Sequence, residues 1–173
     1  MNVLELFKHI TTFVFDIDGV LTDGTVIVLE SGLQARTMNI KDGLALQMAL
    51  RNGFRVIIIS GGNSGPVQER LNKLGVKDVY MSVHDKKDFI QTYIKEHQLK
   101  WEEILFMADD LPDLGLMKAA GVSTCPADAV QEIKQVSKYI STFIGGHGCV
   151  RDIIEKVLKV QDKWIFDTSI TAR

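Results

Sequence analysis

The stretch FVFDIDGVLTDG, residues 13–24, decides the fold. It opens on an apolar run (TFVF from residue 12) that is too short for a helix and rich in residues suited to a buried strand. Asp16 and Asp18 stand at i and i+2 where that run ends, and Gly19 lets the chain turn. Side chains alternate in extended backbone, so residues two apart face the same way. Carboxylates that converge at the carboxyl end of a central strand sit where open α/β sheets bind ligands. Their mutual repulsion asks for a cation, and Mg2+ accepts oxygen donors of this kind. An acidic pair after a strand is also a common polar turn, so other residues must support the reading. A calcium loop of the EF-hand type is excluded by spacing. It would need an acidic or amide residue at Val20, glycine at Leu21 and glutamate at Ile27.

Outward from this stretch, short apolar runs alternate with amphipathic segments, the pattern of a parallel sheet covered by helices. The expected class is α/β, as one domain over residues 1–173. Strands are expected at 12–16, 55–60, 78–81, 104–108 and 121–124. Helices are expected at 43–52, 65–74, 86–98, 112–120 and about 150–160. Gly53, Gly75 and Gly121 each follow a helix, where a left-handed residue closes the last turn. One segment breaks the alternation: residues 25–39 read as a β-hairpin around a Ser-Gly turn. Its first arm carries Val26, Ile27, Val28 and Leu29 in a row, so it is expected to pack on its own domain or on another copy. The tail beyond Val160 reads as a frayed terminus, with a reach toward a neighbouring copy as the alternative.

The composition narrows the function class. A chain of 173 residues can bury one large core, and 46% hydrophobic with 24% charged residues is ordinary for a globular protein. A net charge of −2 gives no footprint for nucleic acid or an anionic membrane. Cys125 and Cys149 lie far apart with no CxxC pair, which suits a reducing compartment. The segment MNVLELFKHI is too short and too charged for a signal peptide, and no apolar run approaches the roughly 20 residues that span a bilayer. The expected address is the cytoplasm.

Three further groups follow expected strands. Ser60, Gly61 and Gly62 in IIISGG offer a hydroxyl and free N–H groups ahead of a helix, a reasonable cradle for phosphate. Lys86 opens a helix after His84 and Asp85. Asp109, Asp110 and Asp113 cluster in ADDLPD, either as an N-cap with an acidic first turn or as a metal-binding edge. Each has a bland explanation. Taken in order, Asp-x-Asp, Ser, Lys and Asp-Asp all lie just beyond strand ends on one side of one sheet.

On DIDGVLTDG, Ser60 of IIISGG, Lys86 of HDKKD and ADDLPD, the chain resembles the haloacid dehalogenase superfamily of phosphohydrolases over nearly its whole length. Four segments resemble its small capless branch, which includes 3-deoxy-D-manno-octulosonate 8-phosphate phosphatases: the hairpin, MNIKDGLAL, NSGPVQERLNKLG and GGHGCVRDIIEKVL. The resemblance implies a Rossmann-like fold with the hairpin as a flap in place of a cap domain. It implies Asp16 as the nucleophile that becomes an aspartyl phosphate, and Asp18 as general acid and base. Ser60 and Lys86 would hold the phosphoryl oxygens. Mg2+ would sit on Asp16, the Asp18 carbonyl and Asp109, supported by Asp110 or Asp113. The substrate would meet Asp18, Asn39, Lys41, Asp42, Gly43, Gly61, Arg70 and Lys86, with a homotetramer closing each site.

The implied substrate is 3-deoxy-D-manno-octulosonate 8-phosphate, with a nine-carbon keto-deoxy sugar phosphate as the alternative. Gly62 stands where many of these enzymes carry arginine, Gln47 replaces a residue that can be basic, and Ala108 stands where glycine is usual. His147 in GGHG reads as a loop residue. A phospho-receiver domain is the rival of another class. It would place the metal pair after the first strand and the phosphorylated aspartate after the third, which does not match this order. A silent scaffold is the third reading, and the presence of Asp16, Asp18, Lys86 and Asp109 together opposes it.

Overall fold

Thr12–Phe15 (β1) is buried at every position, because it runs through the middle of a sheet covered on both faces. The computed structural model describes residues 2–165; most of the tail beyond Val160 lies outside them. The chain begins with Val3–Phe7 (α1) and reaches β1, after which a hairpin forms from Ile27–Val28 (β2) and Gln34–Ala35 (β3). Ile40–Arg51 (α2), Arg55–Ile59 (β4), Gly65–Lys73 (α3), Asp78–Tyr80 (β5) and Lys86–Glu96 (α4) follow. Ile104–Met107 (β6), Leu114–Ala119 (α5), Val122–Cys125 (β7), Gln131–Val136 (α6), Tyr139–Ile140 (β8) and Cys149–Val160 (α7) complete the described chain. The main sheet is parallel throughout, in the order β5-β4-β1-β6-β7-β8.

The alternation of side chains splits the core in two. Phe13, Phe15, Val56, Ile58, Leu105 and Met107 face α1, α2, α3 and α7. Val14, Ile57, Ile59, Ile104 and Phe106 face α4, α5 and α6. Full burial of each such side chain contributes roughly 1.5–3 kcal/mol, so the central strands are the firmest part of the molecule. Their carboxyl ends therefore form a rigid edge.

Several expectations shift. Helix α2 starts three residues early, because Asn39 Oδ1 accepts from Lys41 N at 2.8 Å and caps it. The expected helix at 112–120 divides into a 3-10 turn at Leu111–Asp113 and α5. Helices α1 and α6 and the two-residue strand β8 were not expected. Gly53 and Gly75 do take left-handed backbone (φ +79° and +93°). Gly121 does not: it is glycine for lack of room, since a Cβ there would lie 2.5 Å from the Trp101 carbonyl oxygen. The hairpin turns at Gly32 (φ +79°) and pairs only Ile27 with Ala35 and Val28 with Gln34. Its apolar arm stays exposed, with Val28 at 72%, as does Leu33 beyond the turn. Within one chain that arm therefore does not pack on its own domain, although Arg36 and Met38 at the hairpin's base do.

Candidate active site

Beyond β1 the chain leaves the sheet without losing its grip on it. Asp16 N donates to the Met107 carbonyl at 3.1 Å, and Asp16 Oδ1 accepts from Ile17 N at 2.7 Å. The segment Ile17–Leu21 then makes one wide turn, closed by Thr22 N on the Ile17 carbonyl at 3.0 Å. Asp18 keeps extended backbone (φ −72°, ψ 124°) and Gly19 takes φ +81°. A Cβ on Gly19 would lie 2.0 Å from Asp109 Oδ2, so glycine is required for both its backbone angle and its space. Thr22, fully buried, accepts from Gly19 N at 3.2 Å and pins the turn.

A second loop braces this one. Gly146 N donates to the Val20 carbonyl at 2.9 Å. A Cβ on Gly145 would lie 2.0 Å from the Gly19 oxygen. The GGHG segment is therefore a backbone buttress behind Asp18, and His147 is a loop residue beside it.

Asp16, Asp18, Ser60, Gly61, Lys86, Asp109, Asp110 and Asp113 line one cavity of about 450 Å3. Lys86, at the start of α4, is 7% exposed. Its Nζ lies 2.9 Å from Asp16 Oδ1 and donates to Asp113 Oδ2 at 2.9 Å. Burial works against the lysine's charge, but Asp16 and Asp113 outweigh it and hold its pKa above the ordinary value. Burial pushes Asp16 up to about 7, with Lys86 opposing and Asp113 adding to the rise. Asp109 also reaches about 7, through burial first and the Asp16 charge second. Asp113 is raised for the same first reason. Ser60 Oγ, at the end of β4, accepts from Gly62 N at 3.0 Å. Asp110 Oδ1 accepts from Leu111 N at 2.7 Å and caps the 3-10 turn.

Burial makes Asp16 and Asp109 costly to ionise side by side, and a cation between them would offset that cost. Among the described residues no three His, Cys, Asp or Glu side chains form a complete cage. Asp16 and Asp109, which line the same cavity, fit Mg2+ nonetheless, because that ion binds through one or two carboxylates and keeps several waters.

The other expected substrate residues lie elsewhere in the single chain. Asn39 and Lys41 line a separate groove of about 460 Å3 beside His147 and Arg151. Asp42 is 1% exposed and accepts from Arg151 N at 2.7 Å and Gly148 N at 3.2 Å, tying α2 to the start of α7. Gly43 packs against Leu74, where a Cβ would meet its side chain at 3.2 Å. Arg70 lines a third groove, under the hairpin. Sequence reasoning missed His84, which lines the catalytic cavity, and Arg36, whose Nε donates to Asp18 Oδ1 at 2.6 Å. The only signal for Arg36 was a cation in an otherwise apolar or polar hairpin. Nothing in its spacing placed it near Asp18.

Comparison with known proteins agrees with this geometry. The profile of the haloacid dehalogenase-like hydrolases matches residues 78–151. The 3-deoxy-D-manno-octulosonate 8-phosphate phosphatase of Yersinia pestis is 28% identical over 162 residues, which cover 94% of this chain and 87% of that protein. The crystal structure of the enzyme of that name from Moraxella catarrhalis, in complex with magnesium, phosphate and KDO, superposes with a TM-score of 0.91. It is 31% identical, with 94% of this chain and 93% of that one covered. A probable YrbI family phosphatase from Pseudomonas syringae pv. phaseolica gives a TM-score of 0.92 at 31% identity, again over 94% and 93% of the two chains. With the fold, the carboxylate edge and these relatives in agreement, the chain belongs to the haloacid dehalogenase-like hydrolases and is a phosphatase.

Proposed function

We propose that the protein hydrolyses 3-deoxy-D-manno-octulosonate 8-phosphate to the free sugar acid and phosphate, using Mg2+. The observation that carries this reading is the Asp16–Lys86–Asp113 cluster opening into the same cavity as Asp18. Lys86 holds Asp16 by one oxygen and fixes the direction of its attack on phosphorus. The P–O bond to the sugar breaks as the Asp16 oxygen bonds to phosphorus, and Asp18 gives a proton to the departing alkoxide. Asp18 then takes a proton from the water that hydrolyses the aspartyl phosphate and frees Asp16. Ser60, the N–H groups beside it and Lys86 balance the charge on the phosphoryl oxygens. Bound Mg2+, on Asp16, Asp109 and the Asp18 carbonyl, supplies charge neutralisation for the phosphoryl group.

The exposed apolar hairpin supports a homotetramer in which residues 25–39 pack between copies and bring Asn39, Lys41 and Arg70 toward a site. Among the described residues no helix is long and apolar enough to cross a membrane, and the cytoplasm is the proposed address. The chain acts as one catalytic domain with the hairpin as its flap. The test is phosphate release from a panel of phosphorylated sugar acids and neutral hexose phosphates, with Mg2+ and with a chelator. The expected result is Mg2+-dependent turnover with the highest kcat/KM on the eight-carbon acid. A preference for hexose phosphates would overturn the substrate. A nine-carbon acid in first place would select the alternative.

A further inference from the structure

We infer that Arg36 is a specificity-determining residue: it reads the carboxylate of the substrate, in a groove under the hairpin that takes the acid end of the sugar. This rests on the proposed sugar-acid substrate and adds the residue that recognises it.

Charge separates the two ends of the site. The catalytic cavity is lined by Asp16, Asp18, Asp109, Asp110 and Asp113, and Lys86 is the only lysine or arginine among its described lining residues. That lysine lies 2.9 Å from Asp16 and 2.9 Å from Asp113, so it has no surplus for a second anion beyond the phosphoryl group. A substrate carboxylate turned into this cavity would lie among five aspartates and compete with the phosphoryl group for Lys86. The adjoining groove, about 530 Å3 between the hairpin and α3, has the opposite character. Its described lining includes Arg36 and Arg70 and no acidic residue. Arg36 joins the two spaces, since it lines the groove while its Nε is bonded to Asp18 at the edge of the cavity.

The hairpin is built to deliver this one group. Its residues are exposed along both arms, yet the Arg36 side chain is only 10% exposed. Gly62 also borders Asp18, where a Cβ would stand 3.5 Å from Asp18 Oδ2 in ordinary contact, and as glycine it contributes no side chain to the space. In the free protein, Asp18 Oδ1 is occupied by Arg36. The leaving oxygen of the substrate needs that same carboxylate. Arg36 holds only Oδ1, and the Asp18 side chain is 40% exposed. A second anion at the groove would draw Arg36 off Asp18, and the carboxylate of a sugar acid matches a guanidinium with two parallel hydrogen bonds. A neutral sugar phosphate offers no such exchange.

The experiment compares kcat/KM for 3-deoxy-D-manno-octulosonate 8-phosphate with that for glucose 6-phosphate in wild type, Arg36→Gln and Arg36→Lys. Arg36→Gln is expected to reduce the acid-to-neutral ratio about 10- to 100-fold, mainly through KM of the acid. Arg36→Lys should restore part of it, since the charge returns without the fork. The unphosphorylated sugar acid, used as an inhibitor, should lose affinity in Arg36→Gln by a similar factor. A ratio within about twofold of wild type, with both rates reduced together, would mean that Arg36 acts only by holding Asp18, and would overturn the inference. The conservative lysine variant keeps the comparison open if the glutamine variant folds poorly. A wild-type protein with no preference for the acid would instead overturn the proposed substrate, a distinct result.

Discussion

The sheet edge and the hairpin are neighbours with opposite physics. At the edge, β1, β4 and β6 are buried on both faces and each ends in a group that faces one cavity. Glycines fit the surrounding loops together with no spare volume: Gly19 against Asp109, and Gly145 against Gly19. The hairpin pairs two residues with two, leaves its apolar arm in solvent, and enters the site through Arg36. The chemistry, which needs fixed geometry, sits where the backbone is over-determined. Recognition, which has to adapt to a substrate, sits where it is not.

The sharpest way to break this contrast is at the nucleophile. Asp16→Asn removes the attacking oxygen and should lower turnover at least about 10,000-fold, as loss of a covalent nucleophile does. It should change the melting temperature only modestly, because relief of the buried Asp16 carboxyl, held up to about 7, is offset by the loss of one of the two carboxylates that support Lys86. Phosphate release and thermal melting check the two halves. Retained turnover would remove the covalent mechanism, and a large drop in melting temperature would show that the ion pair with Lys86 holds the edge together.

The buttress comes next. Gly145→Ala puts a methyl group where the Gly19 oxygen stands, and backbone, unlike a side chain, cannot swing aside. The expected cost is about 1–3 kcal/mol of stability and roughly 10- to 100-fold in kcat, because the turn bearing Asp18 must shift. Denaturant unfolding and steady-state kinetics measure both. Unaltered kcat would mean that the edge tolerates movement and is no firmer than the flap.

Most of the edge was legible in the sequence, because each strand end announces itself: an apolar run stops and a polar group follows. Asp16, Ser60, Lys86 and Asp109 come from four separate segments, yet parallel topology brings four strand-end loops to one side, so order alone implied proximity. What stayed illegible depends on contacts between segments with no shared period. Arg36 meets Asp18 across a loop, and Gly145 meets Gly19 across more than a hundred residues. Strand β8 is two residues long and α6 six, too short for periodicity to register. The resemblance implied Asn39 and Asp42 as substrate residues; within one chain they serve as a cap and a helix-to-helix tie, tasks that amide and carboxylate chemistry also suits.

On the hairpin itself, Val28→Asp should leave the fold of a single chain within about 0.5 kcal/mol, given 72% exposure. It should nonetheless lower the mass seen by light scattering from tetramer to a smaller species, and reduce kcat/KM for the sugar acid about tenfold. A charge in a packed apolar contact is costly, whereas the same charge in water is not. An unchanged mass would leave the exposed arm without the partner proposed for it.

The smallest expected effect lies at the root of the hairpin, where Asp42 links α2 to α7. Burial raises the Asp42 carboxyl to about 6 in spite of the N–H groups of Arg151 and Gly148. The unfolded chain, with an ordinary carboxyl near 3.8, gives up its proton first as pH rises. Between about pH 4 and 6 the folded state therefore binds more protons, and this residue's contribution to stability falls as pH increases. Asp42→Asn cannot titrate, so that segment of its stability curve should be flatter than the wild type's. Near pH 7 the two effects of the substitution oppose each other. The buried charge is relieved, but the amide accepts from only one side, and one of the two N–H groups loses its partner at about 1–2 kcal/mol. The difference from wild type should accordingly be greatest near pH 4 and shrink toward pH 7, measured as melting temperature against pH. Parallel curves would show that Asp42 is ionised at little cost, and that the flap is rooted in a site as well solvated as the flap itself.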